Sequence, residues 1–316
     1  MLRSVILAAA RSPRVESLVT HAPVSRSVVH RFVGGVDTST AVETTRALVA
    51  DGLTVTLDHL GEDTTDRTQA QAVVDAYVEL IGALADAGYA ERLAPLTARA
   101  DLSVKLSAIG QALPDGGEQI ALDNARTICT EAARVGATVT LDMEDHTTTD
   151  STLSILRELR VDFPDTAAVL QSYLRRTLGD CRDLATSGSR VRLCKGAYRE
   201  PPSVAFQKRD EVDLNYVRCM NVLLAGDGYP MFATHDPRLV AIGADRALWH
   251  GRKHGEYEFQ MLFGIRPDEQ RRLAAQGNTV RVYVPYGAQW YGYLMRRLAE
   301  RPANLAFFGR ALFSKG

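Results

Sequence analysis

Apolar and polar residues alternate along 280–286 (VRVYVPY), with Val280, Val282 and Val284 on one face and Arg281, Tyr283 and Pro285 on the other. That is the period of a strand with one greasy side. Gly287 breaks it, and residues up to 301 take the period of a helix. The same change of period recurs up the chain. Strand patterns at 53–60, 102–109, 137–144, 168–174, 191–198, 230–236 and 257–263 are followed by helical ones at 69–87, 118–135, 151–161, 177–186, 211–224, 238–253 and 269–275. Eight strand–helix units, with connections too long for hairpins, predict a parallel sheet. A closed α/β (β/α)8 TIM barrel is the economical arrangement, and a doubly wound open sheet is the alternative. Ahead of the barrel, residues 1–50 read as a helical arm. It carries apolar Val28, Val29, Phe32 and Val33, a Gly34-Gly35 break, and a helix opened by a Thr40/Glu43 capping box and ended by Gly52. No Gly-rich linker or composition shift divides the rest, so residues 51–316 are expected to form one barrel domain.

Barrel enzymes keep their chemistry at the C-terminal ends of the strands. Polar residues collect there: Lys105 in the second strand pattern, Asp142 in the third and Tyr283 in the eighth, each opposite an apolar face that should meet the helices. Lys105, Asp142 and Tyr283 should therefore point inward, where a charge is costly unless paired or used. Other strand ends add Glu62, Gln171, Arg192, Lys195, His235 and Gln260. On the last helix Tyr293 shares a side with Arg296 and Arg297, whose guanidinium forks suit a carboxylate. LDMEDH (141–146) holds metal-ligand residue types, but neighbours on a strand face opposite ways and no second His lies close, so it does not read as a metal centre.

Charge sharpens this picture. The 316 residues carry a net charge of −1, which supports neither nucleic-acid binding nor a polybasic anchor. The expected mouth is different: Lys105, Arg192, Lys195, Arg296 and Arg297 outnumber Asp142 and Glu62. A positive pocket suits a carboxylate substrate, and equally a cofactor with phosphates. No run is long enough for a membrane span. The opening VILAAA is cut short by Arg11 and Arg14, unlike a secretion signal. Cys129, Cys181, Cys194 and Cys219 have no metal or redox spacing and read as reduced, cytoplasmic thiols. GxGxxG, P-loop and GxSxG patterns are absent from the sequence.

Nine segments occur in a telling order: RFVGG (31–35), DHLGE (58–62), VKLSA (104–108), LQSYLRR (170–176), VRLCKGAY (191–198), FATHD (232–236), YEFQMLFG (257–264), RVYVPYG (281–287) and YLMRRLAE (293–300). Together they resemble flavin-dependent proline dehydrogenase over nearly the whole chain. The resemblance implies a distorted (β/α)8 barrel holding FAD. It implies oxidation of L-proline to pyrroline-5-carboxylate by hydride transfer to flavin N5, the first step of proline catabolism, with electrons then passed to a quinone. Arg296 and Arg297, assisted by Lys105, would clamp the substrate carboxylate, while Tyr283, Tyr293 and Leu262 pack on its ring. Asp142 would orient Tyr283, and Arg192 would sit near flavin N5. Gln171, Lys195, Gly196, Ala197, Thr234 and His235 would bind FAD, with Met143 against the isoalloxazine. Glu62 and Arg296 would pair across the mouth as a gate. Relatives acting on hydroxyproline carry a smaller residue at the Tyr283 position, so proline should be preferred here. The chain stops at Gly316, which leaves no room for an aldehyde dehydrogenase and implies a separate pyrroline-5-carboxylate dehydrogenase. The resemblance fits a cytoplasmic enzyme and leaves a peripheral place at the inner face of the membrane open. Two other classes stay open on the residues alone. One is a colourless barrel lyase or aldolase using Lys105 as a Schiff-base amine, and the other a ligand-binding barrel without turnover.

Overall fold

The computed structural model describes residues 31–61 and 64–300, without the side chains of residues 296 and 298–300. Eight parallel strands close into one barrel. In chain order the elements are α1 (Thr38–Ala50), β1 (Thr54–His59), α2 (Arg67–Asp86), β2 (Arg92–Ala94), β3 (Thr97–Ala98), β4 (Ala100–Val104), α3 (Gly117–Val135), β5 (Thr138–Leu141), α4 (Thr149–Asp162), β6 (Ala167–Gln171), α5 (Thr177–Leu184), β7 (Arg190–Cys194), α6 (Arg209–Ala225), β8 (Tyr229–Ala233), α7 (Pro237–Trp249), β9 (Glu258–Leu262), α8 (Pro267–Ala275), β10 (Thr279–Tyr286) and α9 (Trp290–Glu300). The barrel runs β1-β10-β9-β8-β7-β6-β5-β4, with β1 returning to β4. The eight strand–helix units expected from the periodicity are all present.

Three details differ from the pattern. The strands stop three to five residues short of their predicted C-terminal ends at β4, β5, β6, β7 and β8, because the backbone leaves the sheet where the polar residues begin. The cap of α1 is Asp37, whose carboxylate accepts from Thr40 N–H at 2.9 Å, so Thr40 is the third helical residue and not the cap. A two-stranded antiparallel hairpin, β2–β3, precedes β4 without a clear sequence signal. Its Leu96 packs on Ala167, Tyr229 and Met231 at the strand starts, beneath the barrel.

The apolar faces turn outward to the helices. Val55, Leu57, Leu102, Val104, Val139, Leu141, Val282 and Val284 are buried in one continuous core with Tyr77, Leu80, Leu84, Ile128 and Leu156 of the surrounding helices. Each large side chain so buried contributes about 1.5–3 kcal/mol. Inside the barrel polar and charged residues, including fully buried Asp101, Arg190, Glu258 and Arg281, sit beside a few apolar ones such as Val169 and Met231.

The end of the N-terminal arm crosses the top of β10. Gly34 N–H donates to the Pro285 carbonyl at 2.8 Å, and Gly287 N–H to the Gly35 carbonyl at 2.9 Å. This strap lies so close to the β9–α8 turn that a Cβ on Gly264 would stand 1.7 Å from the Arg31 carbonyl. Among the described residues no helix is long and apolar enough to cross a membrane.

Candidate active site

A cavity of about 260 Å³ opens at the C-terminal ends of the strands. Its walls include Asp142 and Met143 after β5, Arg192 and Cys194 of β7, Thr234 and His235 after β8, Leu262 of β9 and Tyr283 of β10. A second lobe of about 340 Å³ shares Ala233, Thr234 and His235 and adds Lys195 and Arg209. The first lobe is mostly apolar with a few aimed polar groups, and the second carries Lys195 and Arg209 together with their partner Asp236 on its wall.

Arg192 is the pivot of the polar wall. Its Nη1 donates to Asp142 Oδ1 and to Ser103 Oγ, each at 2.8 Å, and its Nε to Gln260 Oε1 at 2.6 Å. Ser103 Oγ donates to the same Asp142 oxygen at 2.7 Å, leaving Oδ2 to accept the Tyr283 hydroxyl at 2.8 Å. The Arg192 guanidinium also lies 5.4 Å from the Tyr283 ring centre. Burial first, and then the Asp142 charge, push the Tyr283 phenol well above its usual value, so it stays a neutral donor. Lys105 follows β4 and binds Asp58 at 2.6 Å, with Asp142 Oδ2 at 3.9 Å. Burial raises the Asp58 carboxyl above its ordinary value, against the pull of Lys105.

Beneath this wall Asp101 accepts from Thr56, Thr138 and Thr140 at 3.0, 2.6 and 2.7 Å and from Arg190 at 3.1 Å. Arg281 forms a bidentate pair with Glu258 at 2.7 and 3.2 Å. Asp58, Asp101, Ser103, Glu258 and Arg281 thus belong to the site's support and were not singled out from the sequence. Alternation along the strands placed them inward, but their partners depend on register between strands far apart in the chain.

The remaining expected residues take several positions. Gln171 sits behind the cavity, donating to the Glu144 and Met143 carbonyls at 2.6 and 3.3 Å and so holding the β5 end. Lys195 pairs with Asp213 and Asp236. Gly196 has φ of 105°, and a Cβ there would stand 2.3 Å from the Tyr173 ring, so this turn lies flush on the aromatic face. Ala197 beside it is exposed. His235 Nε2 accepts from Leu262 N–H at 2.9 Å, which fixes both walls. Tyr293 and Arg297 meet on α9, with the guanidinium 5.3 Å from the ring centre. Glu62 lies outside the described residues, as does the Arg296 side chain, and with them the expected gate. The acids of LDMEDH part ways: Asp142 to Arg192, Glu144 to Ser107, Asp145 to Thr147, while His146 binds Glu200.

The family model described as proline dehydrogenase matches residues 41–310. The chain belongs to this family. It is 40% identical over 309 residues to the proline dehydrogenase of Deinococcus radiodurans, covering 97% of this chain and 96% of that protein. Against proline dehydrogenase 1 of Bacillus subtilis it is 37% identical over 291 residues, 92% of each. Among solved structures, proline utilization A from Bdellovibrio bacteriovorus, inactivated by N-propargylglycine, superposes with a TM-score of 0.79 at 28% identity. The match covers 91% of this chain and 34% of that one, so this chain spans about a third of the larger protein.

Proposed function

We propose that this member of the family oxidises L-proline to pyrroline-5-carboxylate, the first step of proline catabolism, with FAD as the hydride acceptor and a quinone as the final oxidant. A separate pyrroline-5-carboxylate dehydrogenase would then consume the product. The observation that carries the reading is the joined wall of Arg192, Asp142 and Tyr283 at the cavity of a proline dehydrogenase-family barrel. The residues present fit FAD. Met143, Val169, Met261 and Leu262 offer an apolar slot for a flat ring, the Gly196 turn leaves no side chain in the way, and Lys195 and Arg209 face the lobe where phosphates would lie. Thr234, His235 and Gln171 complete that set. When bound, FAD supplies a two-electron acceptor for the hydride on the carbon beside the proline nitrogen.

The chain's own residues do the rest by positioning and electrostatics. Arg192 keeps a fixed positive charge at the wall. Asp142 holds the Tyr283 hydroxyl so that its ring closes one side of the substrate space, with Leu262 on another. Lys105, with Arg296 and Arg297, would receive the carboxylate, and Glu62 would pair with Arg296 to exclude water. Lys105 paired with Asp58 at 2.6 Å is poorly prepared to be the free amine that a Schiff-base aldolase needs.

Acid precipitation of the purified protein tests the cofactor: FAD should appear in the supernatant. Proline-dependent reduction of a quinone, with the product trapped by o-aminobenzaldehyde, tests the reaction. A colourless protein that stays inactive after FAD is added back would reject the proposal.

A further inference from the structure

Gln260 stands between the two ionic halves of the barrel interior. It is almost fully buried on β9 and lines the cavity floor. Its Oε1 accepts from Arg192 Nε at 2.6 Å, and its Nε2 donates to Glu258 Oε1 at 2.6 Å. The same Glu258 oxygen accepts from Arg281 Nε at 2.7 Å. The amide has one satisfactory orientation. Turned over, it would aim an NH2 at the Arg192 N–H and a carbonyl at a carboxylate. Leucine would fill the space equally well, so the amide answers a demand for polarity and direction. A planar guanidinium held at its Nε edge by Gln260 and at Nη1 by Ser103 and Asp142 cannot rotate.

We propose that Gln260 is a positioning residue: it ties the Glu258–Arg281 pair to Arg192, and so fixes the aim of Arg192 on Asp142 and of Asp142 on the Tyr283 hydroxyl. This rests on the reading that the Arg192–Asp142–Tyr283 wall handles the substrate. The relay runs from Arg281 on β10 through Glu258 and Gln260 on β9 to Arg192 on β7, and then to Asp142 and Tyr283.

Gln260→Glu in the holoenzyme separates this role from simple filling. A protonated carboxyl can donate to Glu258 and accept from Arg192 as the amide does. An ionised one sets two carboxylates against each other, which burial and like charge disfavour. The other groups facing it are Arg192 of β7, Arg281 and Tyr283 of β10, Tyr229 of β8 on Glu258, and, through Arg192, Asp101 of β4 and Asp142 after β5. Burial pushes both phenols up. The kcat of the variant on proline, as a ratio to the parent, should lie within about threefold at about pH 6. It should fall roughly tenfold further by about pH 8.5, with KM changing less. The melting temperature gives a readout independent of turnover. A carboxyl whose folded value is raised above its unfolded one contributes stability at low pH that is lost as pH rises through the folded value. The variant's melting point should therefore fall away from the parent's as pH rises. Gln260→Leu should lower kcat about tenfold at every pH, since both bonds are gone. A flat variant-to-parent ratio and a flat melting difference for Gln260→Glu overturn the relay, as does Gln260→Leu with parent kcat. If the parent itself leaves proline unoxidised, the functional reading fails and the melting series alone decides the relay.

Discussion

Tyr283 meets the cavity with a ring face and Asp142 with its hydroxyl, so one substitution removes both a wall and a hydrogen bond. Tyr283→Ser should open space for a 4-hydroxyl. The kcat/KM for proline should fall, and the preference for proline over 4-hydroxyproline should narrow by roughly tenfold or reverse. Steady-state kinetics with both substrates measure this, and equal efficiency in the parent protein would remove its basis. Tyr283, Asp142 and Arg192 were legible in the sequence because each interrupts or ends a run of apolar residues at a strand's C-terminal end. Their support was not. Asp101 and Glu258 sit at the strand starts, where an inward polar residue looks like an isolated cost until strand register brings Arg190 and Arg281 beside them. Lys105 stands out at its strand end, but its partner Asp58 does not, since the pairing crosses 47 residues of chain.

At the scale of elements, the change of period from two to 3.6 located every barrel strand and its helix, because burial on one face leaves that mark directly. It missed the β2–β3 hairpin, whose strands are too short to alternate, and it ran past the ends of several strands into the loops and turns of the site. Glycine spacing carried information of another kind. Gly264 has φ of 71° and faces the Arg31 carbonyl at a distance no Cβ can occupy. Gly264→Ala should push the strap off the β9–α8 turn and cost about 2–4 kcal/mol. Gly82, inside α2 with nothing within 4 Å of an added Cβ, is the contrast. Gly82→Ala should stabilise by about 0.5–1 kcal/mol, since alanine favours the helix. Thermal or urea unfolding of the two variants gives opposite signs if the strap is held by close backbone contact. Equal small effects would mean that it is not.

Over the whole molecule, the barrel is greasy outside its sheet and ionic within. Burial alone would raise the Asp101 carboxyl, but Arg190, Arg281 and Arg192 outweigh it and hold it below its ordinary value. A carboxylate depressed in this way contributes stability above its unfolded value, near pH 4, and loses it as pH falls through the folded value. Asp101→Asn should therefore cost about 3–5 kcal/mol at neutral pH, where the arginines lose their counter-charge. It should also flatten the decline of stability below about pH 4, as read by urea unfolding across pH. An acid limb identical to the parent's would show that Asp101 does not drive it. Barrel closure carries a consequence for synthesis. β1 pairs with β10, and Arg281 donates to the Val55 carbonyl across 226 residues of sequence. The strap at Gly34 also waits for Pro285. A growing chain that has made β1 must therefore hold it, edge uncovered, for tens of seconds at about 5–20 residues per second, until the final strand leaves the ribosome. Until then it offers two unpaired sheet edges to any neighbour. Chaperone demand during translation should peak just before residues 279–286 emerge from the ribosome, and a synonymous codon change that slows synthesis up to that point would lengthen the exposure without altering the protein at all.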